Sequence, residues 1–189
     1  YVYALPRASK LLNNSYVNYL TPAQKQVIIS NVEDKKTLTS QVVVVDPVYK
    51  AITVGTAYEE LTLVDTVSST LVVTLNDNSR AVPTVIKDKV KGIFSNYFDP
   101  ASAVLGPTVN PSVLTNQILS IDGVKTVTTE NQDTVVNGVS LIVWNPSYPT
   151  QDIITTTKAF TLPAFQTVYL NSIDELMSRV VIRTGVSQT

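Results

Sequence analysis

Residues 83–127 read PTVIKDKVKGIFSNYFDPASAVLGPTVNPSVLTNQILSIDGVKTV. This stretch decides the fold class. Ile86, Val90, Ile93, Phe94, Tyr97 and Phe98 recur at the helical period and share one face. Lys87, Asp88, Lys89 and Lys91 fall mostly on the other face. The run ends at Asp99-Pro100, because the residue before a proline disfavours the α region. Ala101–Val109 is a loop punctuated by Gly106-Pro107. Asn110-Pro111 then offers an N-cap and a proline at the first helical position. Leu114, Ile118 and Ile121 form the inward face of this second helix, and Asp122-Gly123 stops it. Val124–Val127 alternates as a strand. Two amphipathic helices that feed a strand must cover a sheet, or their apolar faces stay wet.

Working outward, Thr21-Pro22-Ala23-Gln24 is a capping box that opens an earlier helix, with Val27, Ile28 and Val32 as its expected buried stripe. A short strand is expected near Val2–Ala4 and a turn at Asn13–Ser15. Gln41–Val45 is an unbroken β-branched run that suits a strand covered on both faces. Asp46-Pro47 bends the chain into a second extended run, Val48–Tyr58, with Gly55 as a bulge position. Leu61–Arg80 reads as a hairpin excursion, one arm at Leu61–Val64 and the other at Leu71–Leu75. Asn76-Asp77-Asn78-Ser79 reads as a turn. It lacks the spaced ligands and closing glutamate of a calcium loop.

Beyond Val127, a polar hairpin is expected over Thr128–Asn137, with Asn137-Gly138 as its turn signal. Strands are expected at Val139–Trp144, Asp152–Thr157, Lys158–Leu162 and Phe165–Leu170. A helical turn capped by Asn171 or Ser172 follows, then a closing strand at Ser178–Thr184 and a loose tail at Gly185–Thr189. The expected class is α+β and β-rich. A β-α-α-β (ferredoxin-like) core would set Val48–Tyr58 beside Val124–Val127, with additional antiparallel strands and hairpins. The expected division is an N-terminal helix-and-strand segment at 1–47, a core at 48–145 with the insertion 61–80, and a β-rich extension at 146–189.

Composition narrows the chemistry. The 189 residues are 44% hydrophobic but only 15% charged, against a usual charged share of about 25%. Mean hydropathy is +0.15. The surface is therefore furnished by Thr, Ser, Asn and Gln, and a net charge of −1 keeps neighbours apart only weakly. Such a chain suits work packed against other proteins; a Thr/Val-rich β protein with an ordinary surface is the plainer reading. A net charge of −1 lacks the basic footprint of a nucleic-acid binder. No apolar run reaches the roughly 18 residues of a membrane-spanning helix, and no signal-peptide pattern is visible. The chain opens Tyr1-Val2-Tyr3 without an initiator methionine, and is expected to be the later part of a longer polypeptide.

Cysteine and histidine are both absent. That removes thiolate chemistry, the commonest general base and the commonest metal ligand together. No P-loop or Gly-x-Gly-x-x-Gly occurs. Carboxylates such as Asp46, Asp99 and Asp122 stand at element boundaries beside Pro or Gly, where capping is their expected task. A spatially paired glycosidase carboxylate set stays open, since no sequence pattern reports it. No catalytic residue, cofactor or metal site is therefore expected. Among the aromatics, Tyr97 and Tyr169 read as core or half-buried sheet residues. Tyr148, Phe165, Trp144 and Tyr49 are the expected interface anchors, since Tyr and Trp are enriched in binding hot spots.

Three stretches in order carry a resemblance. They are Leu20–Lys25 with its following helix and valine run, Val42–Val54 (VVVVDPVYKAITV), and Gly106–Leu114 followed by Ile118, Ile121 and Gly123–Val127. Together they resemble the C-terminal half of the Baseplate J family, nearest to the ring-forming wedge proteins of large contractile-tailed bacteriophages. The resemblance covers roughly Leu20–Val127. It implies a structural role in the virion's tail baseplate, in a protein made in the host cytoplasm. Its partners would be copies of itself, as a homodimer and a higher ring, and other baseplate wedge proteins. It implies no catalytic residues. A β-rich module that binds or cleaves carbohydrate is the alternative, and it would need exposed aromatics and opposed carboxylates around a cleft.

Overall fold

The computed structural model describes residues 1–6, 19–33, 35, 41–56, 69–77, 79–148 and 153–184. The elements in order are β1 (Val2–Tyr3), α1 (Pro22–Glu33), β2 (Val44–Val45), β3 (Val48–Val54) and β4 (Thr70–Leu75). Then come α2 (Pro83–Tyr97), a 3-10 turn (Pro100–Ser102), β5 (Thr108–Val109), α3 (Pro111–Leu119), β6 (Val124–Glu130) and β7 (Val135–Asn137). The rest are β8 (Leu141–Trp144), β9 (Ile154–Thr156), β10 (Phe160–Thr161), β11 (Gln166–Leu170), α4 (Ile173–Ser178) and β12 (Val180–Arg183). The expected turn at Asn13–Ser15, the hairpin arm at Leu61–Val64 and the tail at Gly185–Thr189 lie outside the described residues.

The fold is α+β and β-rich. Among the described residues, two four-stranded sheets carry it, ordered β11-β3-β8-β9 and β12-β4-β6-β7. In each, the outer strand at one end runs parallel to its neighbour and the other pairings are antiparallel. One hydrophobic cluster joins Ile52, Val54, Leu141 and Val143 of the first sheet to Leu71, Val73, Leu75 and Val127 of the second. Onto it pack Ile86, Val90 and Phe94 of α2, Leu114 and Ile118 of α3, and Leu176 of α4. The helical spacing read in residues 83–127 is thus the seam of the core. Pro83, Pro100 and Pro111 each stand at an N-terminal helical position, where a missing N–H costs nothing. Asp99 and Asn110 cap as expected, accepting from the amides of Ala101 and Ser112.

Several expectations are corrected. Val48–Val54 and Val124–Glu130 are not neighbours but lie in different sheets. The strand beside β6 is β4, so the β-α-α-β unit is β4-α2-α3-β6. β4 is no hairpin excursion either: β6 and β12 occupy both its edges, and Leu71, Val72, Val73 and Leu75 are buried. Gln41–Val45 is not the covered strand. Only Val44–Val45 pairs, with β1, and Val43 is exposed. The covered strand is β3, buried continuously from Lys50 to Val54. A β-branched run states strand preference; neighbours decide coverage. β3 pairs without a break, and the register shift falls in β4, between Thr74 and Leu75.

The stripe on α1 is also corrected. Its capping box forms, with Thr21 N–H donating to Gln24 Oε1 and Gln24 N–H to Thr21 Oγ1. Yet the helix buries no residue, and Val27 is 62% exposed. Finally, Asn137-Gly138 is not the hairpin turn. The β6–β7 turn is Asn131–Thr134, where Asn131 Oδ1 accepts from the amides of Asp133 and Thr134. Gly138, at φ +83°, carries the chain from one sheet into the other. A Cβ there would sit 2.9 Å from Thr115 Oγ1, so the site excludes side chains.

The chain after residue 146 supplies β11 to the first sheet and β12 to the second. The junction of the two sheets is held by Arg179. Its guanidinium donates to the carbonyls of Val54 (2.9 Å) and Ser69 (2.6 Å), to Thr53 Oγ1 (2.8 Å), and to the Glu175 carboxylate. Thr129 makes a second tie: its hydroxyl donates to Gly138 O and accepts from Ser140 N–H.

Candidate interaction surface

The face of β3 that carries Ile52 and Val54 belongs to the main core, so Tyr49, Ala51 and Thr53 lie on the opposite face. Parallel pairing puts Tyr169 of β11 beside Ala51, and antiparallel pairing puts Trp144 of β8 on Ala51's other side. A small residue between two large ones lets the rings lie across it. Ala51, Ile142 and Trp144 form a separate cluster there, against which Ile153 and Tyr169 pack.

Tyr49 and Tyr169 meet edge-on, with ring centroids 6.4 Å apart. Tyr19, from the segment before α1, meets Tyr49 in a T-shape at 5.6 Å. Phe165 sits at the start of the same strand pair, since its carbonyl accepts from Val48 N–H. Its ring lies 5.8 Å from Tyr3 of β1. The result is an aromatic band built from β1, β3, β11 and the segment leading into α1. Such pairs prefer these tilted arrangements because ring edges are positive and ring faces negative. Burial pushes the Tyr169 hydroxyl above its usual pKa, with a further push from Tyr19. It therefore stays neutral throughout the physiological range.

The expected anchors divide. Tyr49 and Phe165 share this band, and Phe165 is 38% exposed. Trp144 does not serve as an exposed anchor. At 2% exposure it is the floor under the band, because β8 runs between β3 and β9. Tyr148 is 59% exposed but lies in the turn after β8, outside the ring contacts that form the band. Tyr3, Tyr19 and Tyr169 were not among the expected anchors. A period-2 alternation at Thr167, Tyr169 and Tyr49, Ala51 was visible for Tyr169 alone of the three. The pairing of strands more than a hundred residues apart was not. Tyr97 is half-buried as expected, its hydroxyl accepting from Asn110 N–H at 2.8 Å.

Electrostatically the described surface is neutralised in part by its own ion pairs. Asp46, Asp77, Glu130, Asp174 and Glu175 each face a lysine or arginine. The Lys25–Asp46 pair fastens α1 to the bend before β3. Asp46 Oδ1 is buried and has no hydrogen-bond partner among the described residues. Among the described residues no cluster of three or more acidic side chains is positioned to hold a metal ion. Nor is any helix among them long and apolar enough to cross a membrane. Comparison with protein-family models and with curated proteins finds no match for this chain.

Proposed function

We propose that this chain is a structural subunit of a contractile-tail baseplate. It acts through contact with copies of itself and with other wedge proteins, as a member of a ring, and performs no catalysis. The observation that carries the reading is the aromatic band of Tyr3, Tyr19, Tyr49 and Phe165 on a chain with few charges. Amphipathic rings anchor protein interfaces because they bury large area with little loss of side-chain freedom. The ordered resemblance of Leu20–Val127 to the Baseplate J family supports the kind of assembly. Several of the described carboxylates, Asp46, Glu130 and Glu175 among them, are engaged with cations.

Light scattering after size exclusion, at rising protein concentration, tests the reading, together with binding to other baseplate wedge proteins. Association in either assay is expected. A strict monomer with no affinity for those proteins refutes it. The same band supports a second reading, a carbohydrate-binding module, since sugar C–H faces stack on exposed Tyr rings. A glycan array separates the two: concentration-dependent binding abolished by Tyr49→Ala would favour the sugar.

A further inference from the structure

The outer edge of β7 is the feature that remains unassigned. Asn131 N–H donates to Thr134 O and Gly138 N–H donates to Val127 O. These bonds fix the alternation of the ladder between β6 and β7. Val136 is hydrogen-bonded to Thr129 across the ladder, while Val135 and Asn137 turn their N–H and C=O groups outward. Among the described residues no strand covers that edge. Natural edges are normally blunted by charge, proline or a bulge. Here Thr134–Ser140 carries neither charge nor proline, and Val135 is 66% exposed.

We propose that β7 is a self-pairing edge, joined antiparallel to β7 of a second copy across a two-fold axis at Val136. The proposal rests on the self-association part of the reading above and names its surface. The geometry is self-complementary, as a two-fold interface requires. Val135 of one copy falls opposite Asn137 of the other on both sides of the axis. Each such pair exchanges both backbone hydrogen bonds, using the groups that face outward. No like charges meet along the strand. The opposite outer strand of this sheet lacks that property. β12 ends in exposed Arg183, which carries a charge into any self-pairing of that strand, whereas β7 carries none.

Charge complementarity extends the contact. In this register the Asn131–Thr134 turn of one copy lies alongside Gly138 and Val139 of the other. Those residues border a groove of about 400 Å³ also lined by Leu119, Lys125 and Asn137. The turn carries exposed Asp133, and the groove carries Lys125, whose partner in its own chain, Asp77, is 3.7 Å away. Asp133 thus approaches an opposite charge held only loosely at home.

The chain has no cysteine, so Val136→Cys places its sole thiol at the axis. The two Cα atoms of a non-hydrogen-bonded antiparallel pair stand about 4.5 Å apart, within disulfide range. Val136→Cys is expected to form a covalent dimer under mild oxidation, and Val181→Cys on β12 is not. Val135→Lys is expected to weaken the dimer about tenfold or more by sedimentation, with an unchanged circular dichroism spectrum. Reversing Asp133 and Lys125 singly should weaken it and reversing both should restore it. If the wild type associates, yet Val135→Lys associates equally and Val136→Cys stays reduced, this edge is wrong and the assembly reading stands. If the wild type is a monomer that still binds wedge proteins, this edge alone falls. If it is a monomer without such affinity, both fall.

Discussion

Arg179 should be the most costly single charge to remove. Its side chain is only 15% exposed and donates to two backbone carbonyls, a threonine hydroxyl and a carboxylate. Those acceptors belong to the end of β3, the approach to β4, and α4. Arg179→Met keeps the stem and deletes the donors. Val54 O and Ser69 O each lose a charged donor, and such bonds contribute roughly 1.5–3 kcal/mol. Glu175 is left without its cation but is exposed enough to be solvated. Taken over those two bonds, the expected loss is about 3–5 kcal/mol. Against a typical total of about 5–15 kcal/mol, that is a large fraction.

The control is Arg183, four residues on, which makes a fork with Glu130 at 2.9 and 3.2 Å but is 56% exposed. Arg183→Met should cost no more than about 1 kcal/mol. Arg179→Lys keeps the charge without the planar fork and should fall between. Urea denaturation of the three variants, compared at equal slope, measures this. Equal losses for Arg179→Met and Arg183→Met would refute the claim that one guanidinium holds the sheets together.

The remaining expectations are more local. Gly138→Ala should destabilise by about 1–3 kcal/mol, since φ is +83° and Thr115 Oγ1 blocks the Cβ. Gly92→Ala, in α2 with nothing within 4 Å, should instead stabilise by about 0.5–1 kcal/mol; thermal melts compare the pair. Phe94→Ala empties a fully buried site and should cost about 3–5 kcal/mol. Val27→Ala, on the exposed side of α1, should stay within about 0.5 kcal/mol. The raised pKa of Tyr169 means that the unfolded chain loses this proton first as pH rises. Its stabilising contribution is intact below the ordinary tyrosine pKa of about 10 and is lost as pH climbs through the folded value. Tyr169→Phe should therefore flatten the alkaline fall in stability, measured by denaturant midpoints on both sides of that pH.

Local signals in the chain were sufficient for the elements themselves. Apolar spacing, a proline at each helix start and the Asn110 cap define α2 and α3, because helical periodicity and capping act within a few residues. Apolar and β-branched runs located β4 and β8, and alternation located β11 and β12. The absence of histidine and cysteine sets the chemical limits whatever the fold. Neighbourhood was decided only in three dimensions. β3 joins β11 and β8, and β4 joins β12 and β6, through pairings of which two span more than a hundred residues. Strand register depends on which faces bury together, so valines at Gln41–Val45 and at Val48–Val54 read alike and finish differently. The same holds for Trp144 and Tyr49. Both are aromatic and both lie on strands, but only their place in the sheet makes one a floor and the other part of a surface.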